Sequence, residues 1–277
     1  MLGIPQIKTM LIFPGSLMKS TTDTLKHVYA DSSLIPCATP SGQQIGLLFG
    51  SATGHPPSSE PFYLLYFYGN ATRLHTSSYE FAYFRQLGLH VLITEYPGYG
   101  ISSGQASEGA CYEAADAAYH YLTAMQQIPS TQIIIAGMSL GAAVAIDLAS
   151  RKPAAGLIVF AGFTNIPEQA RAMMPYVPKA IVRLCVTERF DNLRKIASVA
   201  CPIFLGHGTH DELVPFTMAE QLVQAAPQGG SVTFFPIYGG GHNDLLEVGS
   251  HHLRTGIVNF TMSLRHKQTR TADKRKE

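Results

Sequence analysis

Charge is scarce in this 277-residue sequence. Asp, Glu, Lys and Arg make up 14%, and the formal net charge is +1. A balance so near neutrality gives no electrostatic case for nucleic acid as a partner, because phosphate backbones are held by clustered cations. Cysteine is scarce too. Cys37, Cys111, Cys185 and Cys201 are widely spaced with no CxxC pair, so neither a zinc site nor a disulfide framework is implied. All four read as small buried residues rather than nucleophiles, and a reducing, cytoplasmic location is expected. Long apolar runs are missing as well. The opening MLGIPQIKTMLIFPGSLMKS is broken by Pro5, Lys8, Pro14 and Gly15, which makes it a poor leader and too short to cross a bilayer. Peripheral membrane contact stays open through this segment or through the basic end RHKQTRTADKRKE, 265–277. That end otherwise reads as a solvated, disordered tail.

Neither an internal repeat nor a Gly/Ser or Pro linker divides the chain. With 46% hydrophobic residues, residues 1–264 are enough for one α/β domain with a deep core. The stretch GSATGHPPSSEPF, 50–62, is a loop. Before it, KHVYAD and QQIGLLFG look like short strands of an antiparallel edge. After it come six apolar runs: FYLLYFY (62–68), LHVLITEY (89–96), QIIIAG (132–137), GLIVFAG (156–162), PIFLGHG (202–208) and VTFFPIY (232–238). Continuous runs of this length suit strands covered on both faces. Helix formers fill the gaps, as in EGACYEAADAAYHYLTAMQQ and MAEQLVQAA. Strict alternation predicts a mostly parallel sheet wrapped by helices, with reactive groups at the carboxyl ends of the strands.

One serine stands out. Gly137-Met138-Ser139-Leu140-Gly141 fits G-x-S-x-G at the point where a strand gives way to a small-residue helix. The pattern alone is weak, but a strained strand-to-helix turn is what exposes a nucleophilic hydroxyl. Flanking glycines leave that turn room, and the helix N-terminus adds a positive dipole end. An ordinary strand-to-helix turn is the bland alternative. A serine needs a base to take its proton. FLGHGTHDELVP offers Asp211 just after a strand, and FPIYGGGHNDLLEV offers His242 in a glycine-rich loop. The order Ser139, Asp211, His242 is nucleophile, acid, base. His207 and His210 are expected to brace the acid's loop, and His251 and His252 fall in the final helix. Asp244 reads as a helix cap before an orienter of the His242 ring, while Asp116 and Asp147 lie within helices. An oxyanion needs backbone donors already in place. Leu140 supplies one, and Asn70, in YLLYFYGNATRL, is the candidate for the other, ahead of Ala71.

With LLYFYGNA, VLITEYPGYGISSG, IIIAGMSLGAAVAI, FLGHGTHDELVP and GGGHND in this order from about residue 62 to 245, the chain resembles the α/β-hydrolase superfamily. Within it the resemblance is to the Bem46-like group, which includes the α/β-hydrolase-domain proteins of types 13 and 17. The resemblance implies an α/β-hydrolase fold with a small lid. It also implies Ser139, Asp211 and His242 as the catalytic residues, with the Asn70 and Leu140 amides as the oxyanion hole. Tyr68, Tyr96 and Tyr99 would border the pocket, beside Met138. Two departures matter. The family's usual histidine before the GN glycine is Tyr68 here. That histidine braces the oxyanion loop, so altered loop geometry or acyl preference is expected, with catalysis retained. The cysteine-rich, lipid-modified start of type 17 and the membrane helix of type 13 have no counterpart, so depalmitoylation at a membrane does not carry over.

The lid position, about 163–199, is short and broken by three prolines. Met173, Met174, Tyr176 and Val177 are candidates for an acyl channel, although apolar residues so spaced are more often plain packing. The expected activity is hydrolysis of acyl esters or thioesters through an acyl-enzyme, with a small ester, lipid or acylated protein as substrate and no cofactor or metal. A peptidase of prolyl-oligopeptidase type is disfavoured because there is no propeller to select peptides. A non-catalytic binding module is disfavoured because all three triad candidates are present.

Overall fold

The computed structural model describes residues 12–21, 31–54, 60–173, 176, 187–227 and 231–273, with side chains as far as Gln268. Among these, eight strands form one sheet: β1 (Ser33–Ala38), β2 (Gln44–Gly50), β3 (Tyr63–Phe67), β4 (His90–Thr94), β5 (Ile133–Met138), β6 (Gly156–Phe160), β7 (Ile203–Gly208) and β8 (Val232–Ile237). Their order is β1-β2-β4-β3-β5-β6-β7-β8. The first two pair antiparallel, β2 joins β4 antiparallel, and every other pairing is parallel. The expected architecture holds, including the antiparallel edge.

The helices are α1 (Ser78–Gln86), α2 (Glu108–His120), α3 (Leu140–Arg151), α4 (Ile166–Met173), α5 (Asn192–Ile196), α6 (Phe216–Ala225), α7 (Leu245–Val248) and α8 (Ser250–Asp273). Every residue of β6 is buried, as are Ile133–Gly137 of β5, which explains why these strands show no alternation. Helix α3 is buried from Leu140 to Ala149. Its alanines and Gly141 bring the helix so close that a Cβ at Gly141 would overlap the Phe67 carbonyl of β3.

Two expectations are corrected. The partner of β2 is Ser33–Ala38, an edge strand that tolerates Pro36 because one of its sides needs no ladder bond; most of KHVYAD lies outside the described residues. The basic end is helical through Asp273, not disordered. Leu253, Ile257, Phe260 and Leu264 seat α8 on the core, and extending a formed helix is easier than nucleating one. The Arg265 guanidinium lies 3.8 Å over the Phe62 ring and donates to the Glu60 carbonyl. Among the described residues no helix is long and apolar enough to cross a membrane.

The excursion at the lid position is fastened at its base. Ile166 N–H donates to Arg189 O at 2.9 Å, and the Asn192 and Leu193 N–H groups donate to Thr164 O at 2.9 and 3.1 Å. The buried Asn192 amide adds a bond to Phe163 O at 2.8 Å. Glu108 and Glu188 cap reciprocally. The Glu188 carboxylate accepts from Glu108 N–H, and the Glu108 carboxylate accepts from Arg189 N–H, each at 2.6 Å. Met174, Val177 and Cys185 lie outside the described residues.

Candidate active site

Ser139 stands alone between β5 and α3 with φ 55 and ψ −115. That left-handed backbone is costly for any residue with a Cβ and persists only when its surroundings enforce it. Here Ser139 N–H donates to Phe160 O at 2.9 Å, and a Cβ at Gly137 would overlap the Gly141 carbonyl. Sheet and helix together hold the hydroxyl up at the carboxyl edge.

Two neighbouring strand ends bring the partners. His242 follows β8, and its Nε2 lies 3.0 Å from Ser139 Oγ while its Nδ1 lies 2.8 Å from Asp211 Oδ2. Asp211 follows β7. Its Oδ1 accepts from Leu213 N–H at 2.9 Å and Val214 N–H at 2.7 Å. Burial alone raises its pKa, but bonds from His207, His242 and Val214 outweigh that and hold the carboxyl well below the ordinary 3.8. The two loops brace each other. His210 N–H donates to Gly240 O at 2.9 Å, and Gly239 N–H donates to Thr209 Oγ1 at 3.0 Å.

The competing groups are sorted by geometry. His207 is fully buried and braces the acid's loop through Val214 O at 2.9 Å. The His210, His251 and His252 side chains are exposed. Asp116 and Asp147 pair with Arg151. Asp244 neither caps α7 with its side chain nor orients the ring. Its Oδ1 accepts from Gly241 N–H at 2.7 Å, tightening the turn that carries His242.

The loop after β3 runs beside the serine. A Cβ at Gly69 would sit 3.6 Å from that of Ser139. Neither Leu140 N–H nor Asn70 N–H donates to a protein acceptor among the described residues. Among the described residues both amides are thus unspent, one on the residue after Ser139 and one on the loop beside it.

The pocket candidates fare less well. Tyr68, Tyr96 and Tyr99 are each 0% exposed and so present no surface to solvent. They pack on one another beneath the loop, with ring centroids 4.9 to 6.4 Å apart. Tyrosine's apolar body favours that burial, and two of the three hydroxyls find a partner, whereas Tyr68 OH has none among the described residues. Tyr96 OH donates to Tyr68 O and Tyr99 OH to Asn70 Oδ1, each at 2.8 Å. Met138 is half-buried and Met173 exposed. A cavity of about 430 Å³ between α4 and α6 is lined by Thr164, Glu168, Arg171, Ala172, Pro215 and Met218 among others, a mixed polar set rather than an apolar channel. One neighbour escaped the sequence reading. Glu95, 1% exposed at the end of β4, was legible only as an acidic residue closing an apolar run. Burial pushes its carboxyl from 4.5 up to about 7, although Leu74 and Ile101 N–H groups donate to it.

The profile of the family described as Serine aminopeptidase, S33, matches residues 69–195. An uncharacterized protein of Mycobacterium tuberculosis is 36% identical over 158 residues, covering 57% of this chain and 54% of its own. The α/β hydrolase domain-containing protein 17C of Xenopus laevis is 29% identical over 208 residues, covering 75% and 63%. The chain thus spans between half and two thirds of these relatives. A solved esterase of Pyrococcus furiosus superposes with a TM-score of 0.71 at 15% identity, over 86% of this chain and 93% of that one. Sheet order, the turn at Ser139 and these relatives make the chain a member of the α/β-hydrolase superfamily.

Proposed function

We propose that this chain is a serine hydrolase that cleaves acyl esters or thioesters. The observation that carries this is the position of His242, within hydrogen-bond reach of both Ser139 Oγ and the Asp211 carboxylate. In this reading His242 Nε2 accepts the Ser139 proton as Oγ attacks the carbonyl, and Asp211 holds Nδ1–H and steadies the imidazolium. The tetrahedral oxyanion takes the Leu140 and Asn70 N–H donors. His242 then protonates the leaving alcohol or thiol, and water, deprotonated by the same ring, releases the acid and restores the serine. No cofactor enters these steps.

A second reading, hydrolysis of peptide bonds, is favoured by the name of the matching family profile. One experiment separates them. Turnover is compared on p-nitrophenyl esters of increasing chain length, acyl thioesters and aminoacyl p-nitroanilides, alongside fluorophosphonate labelling. The ester reading expects labelling of wild type but not Ser139→Ala, with ester or thioester turnover falling ~10⁴-fold or more in His242→Ala. Labelling that survives Ser139→Ala removes the nucleophile, and preference for the anilides favours the peptidase.

A further inference from the structure

The run Glu95–Ile101 leaves the carboxyl end of β4, which pairs in parallel with β3, and so comes to lie beside the loop 68–74. Three of its side chains reach that loop at three different points. Tyr96 OH donates to Tyr68 O at 2.8 Å. Tyr99 OH donates to Asn70 Oδ1 at 2.8 Å. Glu95 Oε1 accepts from Leu74 N–H at 3.1 Å, while its Oε2 accepts from Ile101 N–H at 2.8 Å and so ties the two loops together. All three side chains are shut off from solvent.

We infer that Tyr96, Tyr99 and Glu95 form a buried brace for the loop that carries the second oxyanion donor, with Tyr99 the positioning residue for Asn70. The inference rests on the hydrolase reading above. A planar peptide points its N–H opposite its C=O, so whatever fixes the loop's carbonyls and side chains also aims its amides. Gly69 O accepts from Thr72 N–H at 3.2 Å, which sets the 69–70 peptide. Tyr96 fixes the Tyr68 carbonyl, and Tyr99 holds the Asn70 side chain from below. The other side is closed by residues 14–20. A Cβ at Gly15 would press on the Asn70 carbonyl oxygen and the Tyr99 ring. Lys19 Nζ donates to Gly98 O at 2.7 Å and Ser20 N–H to Gly100 O at 3.2 Å. Gly100, at φ +43, leaves the space that the Glu95 carboxylate occupies. A carboxylate is an expensive choice for so dry a place, whereas the two oxygens of Glu95 hold two loops in one register.

The test uses Tyr99→Phe, Asn70→Ala and the double variant, with the p-nitrophenyl ester that wild type turns over fastest and an alkyl trifluoromethyl ketone as transition-state mimic. Losing an oxyanion donor outright costs ~10²–10³-fold in kcat, so a donor left loosely aimed should cost about tenfold. KM should stay within about twofold, ketone affinity should fall by the same factor as kcat, and the double variant should lose no more than either single one. Asn70→Ala removes the acceptor without touching the buried tyrosine and carries the same expectation if Tyr99→Phe fails to fold. Unchanged kcat and ketone affinity in a folded Tyr99→Phe or in Asn70→Ala, or losses that add in the double variant, overturn the inference alone. A wild type inert toward esters overturns the ester reading and this inference with it.

Discussion

His207 Nε2 lies 3.3 Å from Asp211 Oδ2, the oxygen that also faces His242 Nδ1 at 2.8 Å. A carbonyl only accepts, so the 2.9 Å approach of the same Nε2 to Val214 O makes it the protonated nitrogen. One N–H is thus shared between the acid and the loop that carries it. His207→Phe keeps ring volume against Phe216, whose centroid lies 5.9 Å away, and removes only that donor. It should lower kcat about tenfold and unfolding free energy by about 1–2 kcal/mol, read by ester kinetics and urea denaturation. A variant as active and stable as wild type would make the contact idle.

Two buried carboxyls pull the pH dependence of stability in opposite directions. The lowered pKa of Asp211 contributes stability that is present above its ordinary 3.8 and lost as pH falls toward its folded value. Urea midpoints should drop below about pH 4, and Asp211→Asn should flatten that drop. Glu95 is raised from 4.5 to about 7, so its contribution is fully present below 4.5 and lost as pH rises through 7. Glu95→Gln should therefore gain on wild type across that window, by something of order 3 kcal/mol at full extent. Midpoints at pH 5 and pH 8 that shift equally in Glu95→Gln would refute this sign.

The seat of α3 on β3 has no room for a methyl group at Gly141. Gly141→Ala must push the helix off the Phe67 and Tyr68 carbonyls and carry Leu140 with it. A loss of about 2–3 kcal/mol in stability is expected from the overlap, together with a fall in kcat larger than any change in KM. Retained kcat in a destabilised variant would separate packing from the aim of the Leu140 amide.

Much of this arrangement was legible in the sequence because it rests on patterns that backbone physics imposes. Strands such as GLIVF read as apolar runs because helices cover both their faces. Ser139 was legible because a strained turn needs glycine on either side. Tyr96 and Tyr99 are pocket walls by resemblance alone, and an aromatic side chain with a polar tip suits a wet pocket and a dry brace equally. Only the hydroxyl partners distinguish the two, and those lie 28 and 29 residues away in sequence. The edge strand at Ser33–Ala38 was hidden by Pro36, and the helical continuation past Leu264 by a stretch with no apolar stripe of its own.

The neck beneath α4 and α5 has a consequence for how such a protein can change. Because Thr164, Ile166, Arg189 and Asn192 close the excursion with their own backbone bonds, the strands below do not register how much chain is inserted above. Doubling a flexible insert adds only about 0.6 kcal/mol of closure entropy. The chain between Ile166 and Arg189 can therefore be lengthened or shortened without breaking the backbone bonds that close its neck.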